Sequence, residues 1–115
     1  AEYKQIANDE VLAILMIETK EAVDNIEDIL DVEGVDLIHM GPFDLSLSMG
    51  VEMTSSELAK AVAKVEAAAN ARNIPLGGAA GTLKNSRDRL ARGYRFFTIP
   101  GDMELLQNGV RAWFN

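Results

Sequence analysis

Cysteine is absent from the chain. That excludes disulfides and thiolate metal sites. Histidine occurs once, at His39, so neither a histidine-rich metal centre nor a Ser-His-Asp triad with a spare imidazole can be assembled. Long apolar runs are missing as well. The longest, Val11 to Ile17, is strand-sized and far short of the ~20 residues a membrane helix needs. The first ten residues are polar and lack the basic start and apolar stretch of a secretory signal, and the expectation is a cytoplasmic protein. Basic residues are in deficit: the net charge is −7, which argues against a nucleic-acid or anionic-membrane partner.

What is present is an ordinary globular composition, 48% hydrophobic and 25% charged over 115 residues, enough for one domain with a core. The charge is unevenly spread. Residues 1–57 carry 14 acids and 2 bases, residues 58–115 carry 4 acids and 9 bases. Solvated helix faces account for such an asymmetry; so does an acidic half that supplies cation ligands. The start at Ala1 without methionine suits an excerpt from a longer protein, a trimmed chain, or removal of the initiator.

The pattern alternates strand and helix four times. Val11–Ile17 is a continuous apolar run, as expected of a parallel strand buried on both faces. Thr19 is a plausible N-cap, followed by Ala22, Val23, Ile26, Ile29 and Leu30 at helical spacing, with Glu21, Asp24, Glu27, Asp28 and Asp31 opposite. Gly34 punctuates, and Val35–Met40 is the second strand. Gly41–Gly50 reads as a loop with room for a short helical turn. Thr54-Ser-Ser-Glu57 is a capping box opening a helix with Leu58, Ala61, Val62, Val65, Ala68 and Ala69 on one face. Asn70–Asn73 ends it before Pro75. Ile74–Ala79 is a third strand, Thr82–Arg92 a short basic helix closed by Gly93, and Tyr94–Ile99 a fourth strand. After Pro100-Gly101, Asp102 can cap a last helix lined by Leu105, Leu106, Val110 and Trp113. The five methionines are scattered and read as packing.

Alternating β and α implies a parallel sheet with right-handed crossovers. Two architectures satisfy this: an open four-stranded sheet covered on both faces, or four-eighths of a (β/α)8 barrel, which as a whole takes about 250 residues. Four strands alone cannot close a barrel. A half-barrel would leave two raw edges and an uncovered apolar interior, to be closed by its missing half or by a second copy.

In either architecture chemistry sits at the carboxyl ends of strands. Glu18 directly follows the first strand. Asp44 follows the second, in the turn Gly41-Pro42-Phe43-Asp44. Adjacent parallel strands lie ~4.8 Å apart, so two carboxylates at neighbouring tips can share a divalent cation. The alternatives are a dipole-stabilising acid for Glu18 and a turn or capping residue for Asp44. The run Gly77-Gly-Ala-Ala-Gly-Thr82 can cradle an anion or serve as a tight turn; it matches no phosphate-binding fingerprint. His39, inside the second strand, reads as a packed and hydrogen-bonded residue. Trp113 reads as an anchor for core or neighbour contact.

Met16-Ile-Glu-Thr19, the helix after it, and Gly34-Val-Asp36 leading to Gly41-Pro-Phe-Asp-Leu-Ser46 resemble the metal-dependent class II pyruvate aldolases of the HpcH/HpaI aldolase (citrate lyase-like) family. The resemblance spans the chain and is strongest from Val11 to Gly50. It implies a TIM (β/α)8 barrel, with residues 1–115 supplying the last four βα units. It implies that Glu18 and Asp44 bind Mg2+, Mn2+ or Co2+, and that the turn of Gly41, Pro42, Phe43 and Asp44 holds the carboxylate of pyruvate or another 2-oxo acid on backbone N–H groups. Phe43 stands where the family usually has a small residue. The family's catalytic arginine and histidine belong to the first half of its barrel; no position here inherits them, and His39 does not match that histidine. The expected parent is thus an aldolase cleaving a 4-hydroxy-2-oxo acid to pyruvate and an aldehyde. The alternatives are a non-catalytic half-barrel that dimerises or pairs with another chain, and a related acyl-CoA carbon–carbon lyase. The resemblance also implies a homo-oligomer in which Trp113 and Phe114 contact a neighbour.

Overall fold

Four short strands order the molecule: β1 (Ile14–Ile17), β2 (Leu37–Met40), β3 (Leu76–Ala79) and β4 (Tyr94–Thr98). The computed structural model describes residues 2–114. All three pairings are parallel and the spatial order is β1-β2-β3-β4, so both β1 and β4 present an unpaired edge. The connections are α2 (Lys20–Asp24) with α3 (Ile26–Leu30), then α4 (Pro42–Met49) with α5 (Ser56–Ala71), then α6 (Leu83–Ala91); α1 (Glu2–Ile6) precedes β1 and α7 (Asp102–Phe114) follows β4.

The register explains the core. Ile17 pairs with Met40, and Ile38 with Leu76. These side chains share one face and are buried against Val23, Ile26 and Leu30 of α2–α3, Leu45 of α4, and Leu58, Ala61, Val65, Ala68 and Ala69 of α5. The face of α5 read from its spacing is therefore the one that packs, with Val62 at its margin. On the other face the register brings Ile14 beside Leu37, Met16 beside His39, His39 beside Gly77 and Gly77 beside Phe96. Among the described residues no helix covers this inner face: Ile14, Met16 and Phe96 are 39%, 54% and 37% exposed. The open four-stranded sheet covered on both faces is thereby excluded, and the half-barrel holds.

Several local expectations are corrected. β1 starts at Ile14, not Val11: pairing begins where the Ala13 N–H donates to Asp36 Oδ2 (2.7 Å) and the Asp36 N–H returns a bond to the Ala13 carbonyl (3.1 Å). The first helix is split at Asn25, whose side-chain Nδ2 donates to the Glu21 carbonyl (3.0 Å), the local competition that disfavours Asn inside helices. The α5 cap is Ser55, whose hydroxyl accepts from the Leu58 N–H (3.1 Å); Thr54 lies in the preceding turn, so the capping box does not form in the register read. The helical turn allowed for within Gly41–Gly50 is longer than read: most of the segment is the two-turn helix α4, with Pro42 at its first position and left-handed Gly50 closing it. Trp113 and Phe114 are 89% and 86% exposed and α7 buries no residue, so Trp113 is not a core anchor.

Candidate active site

Glu18 and Gly41 are the residues that follow the paired tips Ile17 and Met40. The Gly41 N–H donates to the Ile17 carbonyl at 3.1 Å, which holds the two rims together. Side-chain alternation sets Glu18 on the inner face with Ile14 and Met16. Its carboxylate lies over Gly41: a Cβ there would stand 3.0 Å from Glu18 Cβ and 3.4 Å from Glu18 Oε2. Glycine is thus needed at position 41 for closeness.

Glu18 is not a helix-dipole acid. Thr19 caps α2, its hydroxyl accepting from the Ala22 N–H (3.1 Å), and the acid of that first turn is Glu21. Asp44 is not a cap either. It is the third residue of α4, whose cap position is Gly41 and carries no side-chain bond. Pro42 has no N–H, so Phe43 and Asp44 supply the unpaired first-turn donors of α4, on the positive end of the helix. Among the described residues, neither carboxylate accepts a hydrogen bond or forms an ion pair, and both reach solvent.

The turn is held from behind. Leu45 is fully buried. The buried Ser46 hydroxyl donates to the Phe43 carbonyl (2.6 Å), and the Ser48 hydroxyl accepts from the Lys20 N–H (3.0 Å), joining the end of α4 to the segment just past Glu18. These serines were readable only as part of a motif; the bonds that explain them appear only in the fold.

Two all-oxygen side chains flanking a helix N-terminus suit a hard divalent cation. Among the described residues no group of three or more His, Asp or Glu gathers, so a cation held here would take its remaining ligands from water and substrate. The cradle over Gly41 and the unpaired state of both carboxylates fit that role.

Other sequence candidates fall elsewhere. Gly77 and Gly78 are buried within β3, and Thr82 caps α6 by accepting from the Asn85 N–H (3.2 Å), so the glycine-rich run is strand and turn. Asp102 opens α7 and its carboxylate accepts from the Met103 N–H (2.8 Å). His39 packs edge-on to Phe96, ring centres 6.2 Å apart. Both its ring nitrogens are buried without a partner, contrary to the hydrogen-bonded state expected. Burial, and secondarily the Arg89 charge, hold its pKa below the usual histidine value.

One cluster escaped the sequence reading. Glu66, 8% exposed on the α5 core side, accepts from the Tyr94 hydroxyl (2.9 Å) and pairs with Arg92 (3.0 Å). Burial, then the Glu66 bond, pushes the Tyr94 hydroxyl pKa well above the ordinary tyrosine range. A lone Glu between Val65 and Ala67 gave no signal beyond its position on the apolar stripe.

A sequence profile of the HpcH/HpaI aldolase/citrate lyase family matches residues 2–109. The chain belongs to this family. Among the family's curated members, a hydroxypyruvate/pyruvate aldolase from Rhizorhabdus wittichii is 35% identical, aligned over 95% of this chain and 45% of its own length. A 4-hydroxy-2-oxo-heptane-1,7-dioate aldolase from Salmonella typhimurium is 32% identical, over 96% of this chain and 43% of its own. The crystal structure of an HpcH/HpaI aldolase/citrate lyase family protein from Burkholderia cenocepacia superposes with a TM-score of 0.88 at 31% identity, covering 98% of this chain and 45% of that one. This member of the family thus spans less than half the length of the curated relatives it matches, in keeping with four of eight βα units. No helix among the described residues is long and apolar enough to cross a membrane.

Proposed function

We propose that the chain is the C-terminal, cation-binding half of a carbon–carbon lyase that cleaves a 4-hydroxy-2-oxo acid to pyruvate and an aldehyde. The observation that carries this reading is the rim itself: Glu18 laid over Gly41, with Asp44 in the first turn that Gly41 opens. Aldolase activity in relatives that share the segment supports the reaction class.

In this reading Glu18 and Asp44 hold Mg2+, Mn2+ or Co2+. The Phe43 and Asp44 N–H groups, reinforced by the α4 dipole, bind the substrate carboxylate. Exposed Phe43 borders the space beyond it and narrows what the second fragment can be. When bound, the cation supplies Lewis acidity at the keto oxygen, where negative charge develops as the carbon–carbon bond breaks. Gly41 and the Ser46 and Ser48 bonds keep carboxylates and N–H donors in fixed relation, so little reorganisation is required on reaction. Proton transfer falls to residues of the preceding half-barrel.

The test is retro-aldol turnover by the full-length parent carrying Asp44→Ala. Loss by about 100-fold or more is expected for removal of a principal electrostatic element; unchanged turnover would overturn the assignment. Calorimetry with Mn2+ in the presence of oxalate reads the same site without activity.

A second reading has its own observation. The uncovered inner face of β1–β4 fits a half-barrel that pairs with another half, whether or not the assembly is catalytic.

A further inference from the structure

We propose that the cavity between α5 and α6, on the helix-covered side of the sheet, is a binding site for a carboxylate bearing a short apolar tail. It adjoins the turn of the rim through Met40 and Pro42, but neither Glu18 nor Asp44 lines it, and it does not depend on the function proposed for that rim. The cavity measures about 320 Å3, at the small end of ligand-sized sites. Unlike the inner face, it is walled by elements present in this chain: α5, α6 and the sheet beneath them.

Its chemistry is two-sided. Met40, Pro42, Leu58 and Val62 form an apolar wall. Opposite stand two guanidinium groups on the Tyr94 ring, Arg89 at 5.4 Å and Arg92 at 5.6 Å from its centre. Arg92 is neutralised by Glu66. Arg89 is not: among the described side chains it has no carboxylate partner, and its one hydrogen bond is from Nη1 to the Ala79 carbonyl. A guanidinium offers five donors in a planar fork, and most of this one remains available for the bidentate pairing that carboxylates favour.

Gly78 is what lets Arg89 lie there. A Cβ at position 78 would meet Arg89 Nη1 at 2.9 Å and Tyr94 Cε1 at 3.2 Å. The bare strand therefore seats a half-buried cation against the sheet, beside an apolar slot. A fully apolar ligand would leave that cation without a counter-charge. A small dianion without a tail would leave the Met40, Leu58 and Val62 wall empty. The monoanion with a tail satisfies both.

The probe is hexanoate, compared with hexanol and acetate, titrated into the 115-residue chain and followed by calorimetry. Hexanoate should bind at least about tenfold more tightly than either control, since one lacks the charge-assisted hydrogen bonds and the other the apolar contact. Arg89→Met should remove the preference over hexanol. Because Arg89 also braces Tyr94, Ala59→Trp provides the second variant: Ala59 is exposed on α5 and lines the cavity, so an indole there fills the slot without replacing a core side chain. Far-UV circular dichroism checks that each variant folds. Hexanoate binding abolished by Ala59→Trp supports the proposal. Binding equal to that of hexanol, binding that survives Ala59→Trp (which would place it on the exposed inner face), or no binding at all overturns it.

Discussion

The carboxylate of Glu18 rests over Gly41, across the junction of two parallel strands, so closely that a Cβ at 41 would sit 3.4 Å from Oε2 and 3.0 Å from Glu18 Cβ. The acid at the end of one strand is therefore positioned by the missing side chain at the end of the next. Gly41→Ala should leave the fold intact and displace Glu18 by a few tenths of an ångström. Mn2+ affinity, measured by calorimetry with oxalate present, is expected to fall about tenfold, the lower range for changes in residues that orient metal ligands. Unaltered affinity would mean that Glu18 does not bind the cation in this pose.

Tyr94 and Glu66 join β4 to α5 through a buried bond of 2.9 Å. Tyr94→Phe leaves the carboxylate with Arg92 alone. The loss should be about 1–3 kcal/mol, the range for a buried acceptor losing a partner, read as a lower urea midpoint. The sign of the pH effect follows from the raised Tyr94 pKa: the folded state keeps the proton more tightly than the unfolded chain does. Its stabilisation is full below the ordinary tyrosine pKa of about 10 and declines as pH rises above it. Wild type should lose stability faster than Tyr94→Phe between about pH 10 and 11.

His39 works in the opposite direction. Its pKa is lowered in the fold, first by burial and then by Arg89, which lies on the other side of the two-glycine strand. The unfolded chain takes up the proton first, so the contribution is complete above about pH 6.5 and is lost as pH falls below it. His39→Phe replaces a ring with two unpartnered nitrogens by an apolar ring of similar shape. Stability at pH 7 should rise by about 1 kcal/mol, and the decline on acidification from about pH 6.5 to 5 should flatten. Denaturant midpoints across that range check both outcomes.

The uncovered inner face and the bare α7 stripe predict self-association. Sedimentation of the isolated chain at micromolar concentration should give a mass above the 12.5 kDa of one copy. Phe96→Glu, placing a charge on the inner face along the edge strand β4, should shift it toward the monomer. A dilute wild-type monomer that binds no hydrophobic dye would contradict the exposure of Ile14, Met16 and Phe96.

Much of this fold was legible because its signals are local. Thr19 caps the helix it was expected to cap, since a cap needs only a hydroxyl and the N–H three residues on. The apolar stripe of α5 packs as its spacing implied. Glu18 and Asp44 stood out as candidates because they follow strand ends, where chemistry gathers in α/β folds. Capping boundaries slipped by a residue at Ser55, and the extent of α4 was read short, as a loop with room for a helical turn, because glycine and proline mark turns and helix starts alike.

The sequence by itself determined the alternation of strands and helices, the apolar faces and the placing of two acids after strand ends, each of which follows from residue type and spacing, and it pointed to the family through the resemblance of its motifs. Only the tertiary structure decided that Gly41 makes room for Glu18, that buried Glu66 meets Tyr94, that Arg89 lies across Gly78 with no carboxylate partner among the described residues, and that one face of the sheet stands open. Those relations join residues far apart in the chain, and their energies depend on distance and burial, which no local pattern carries.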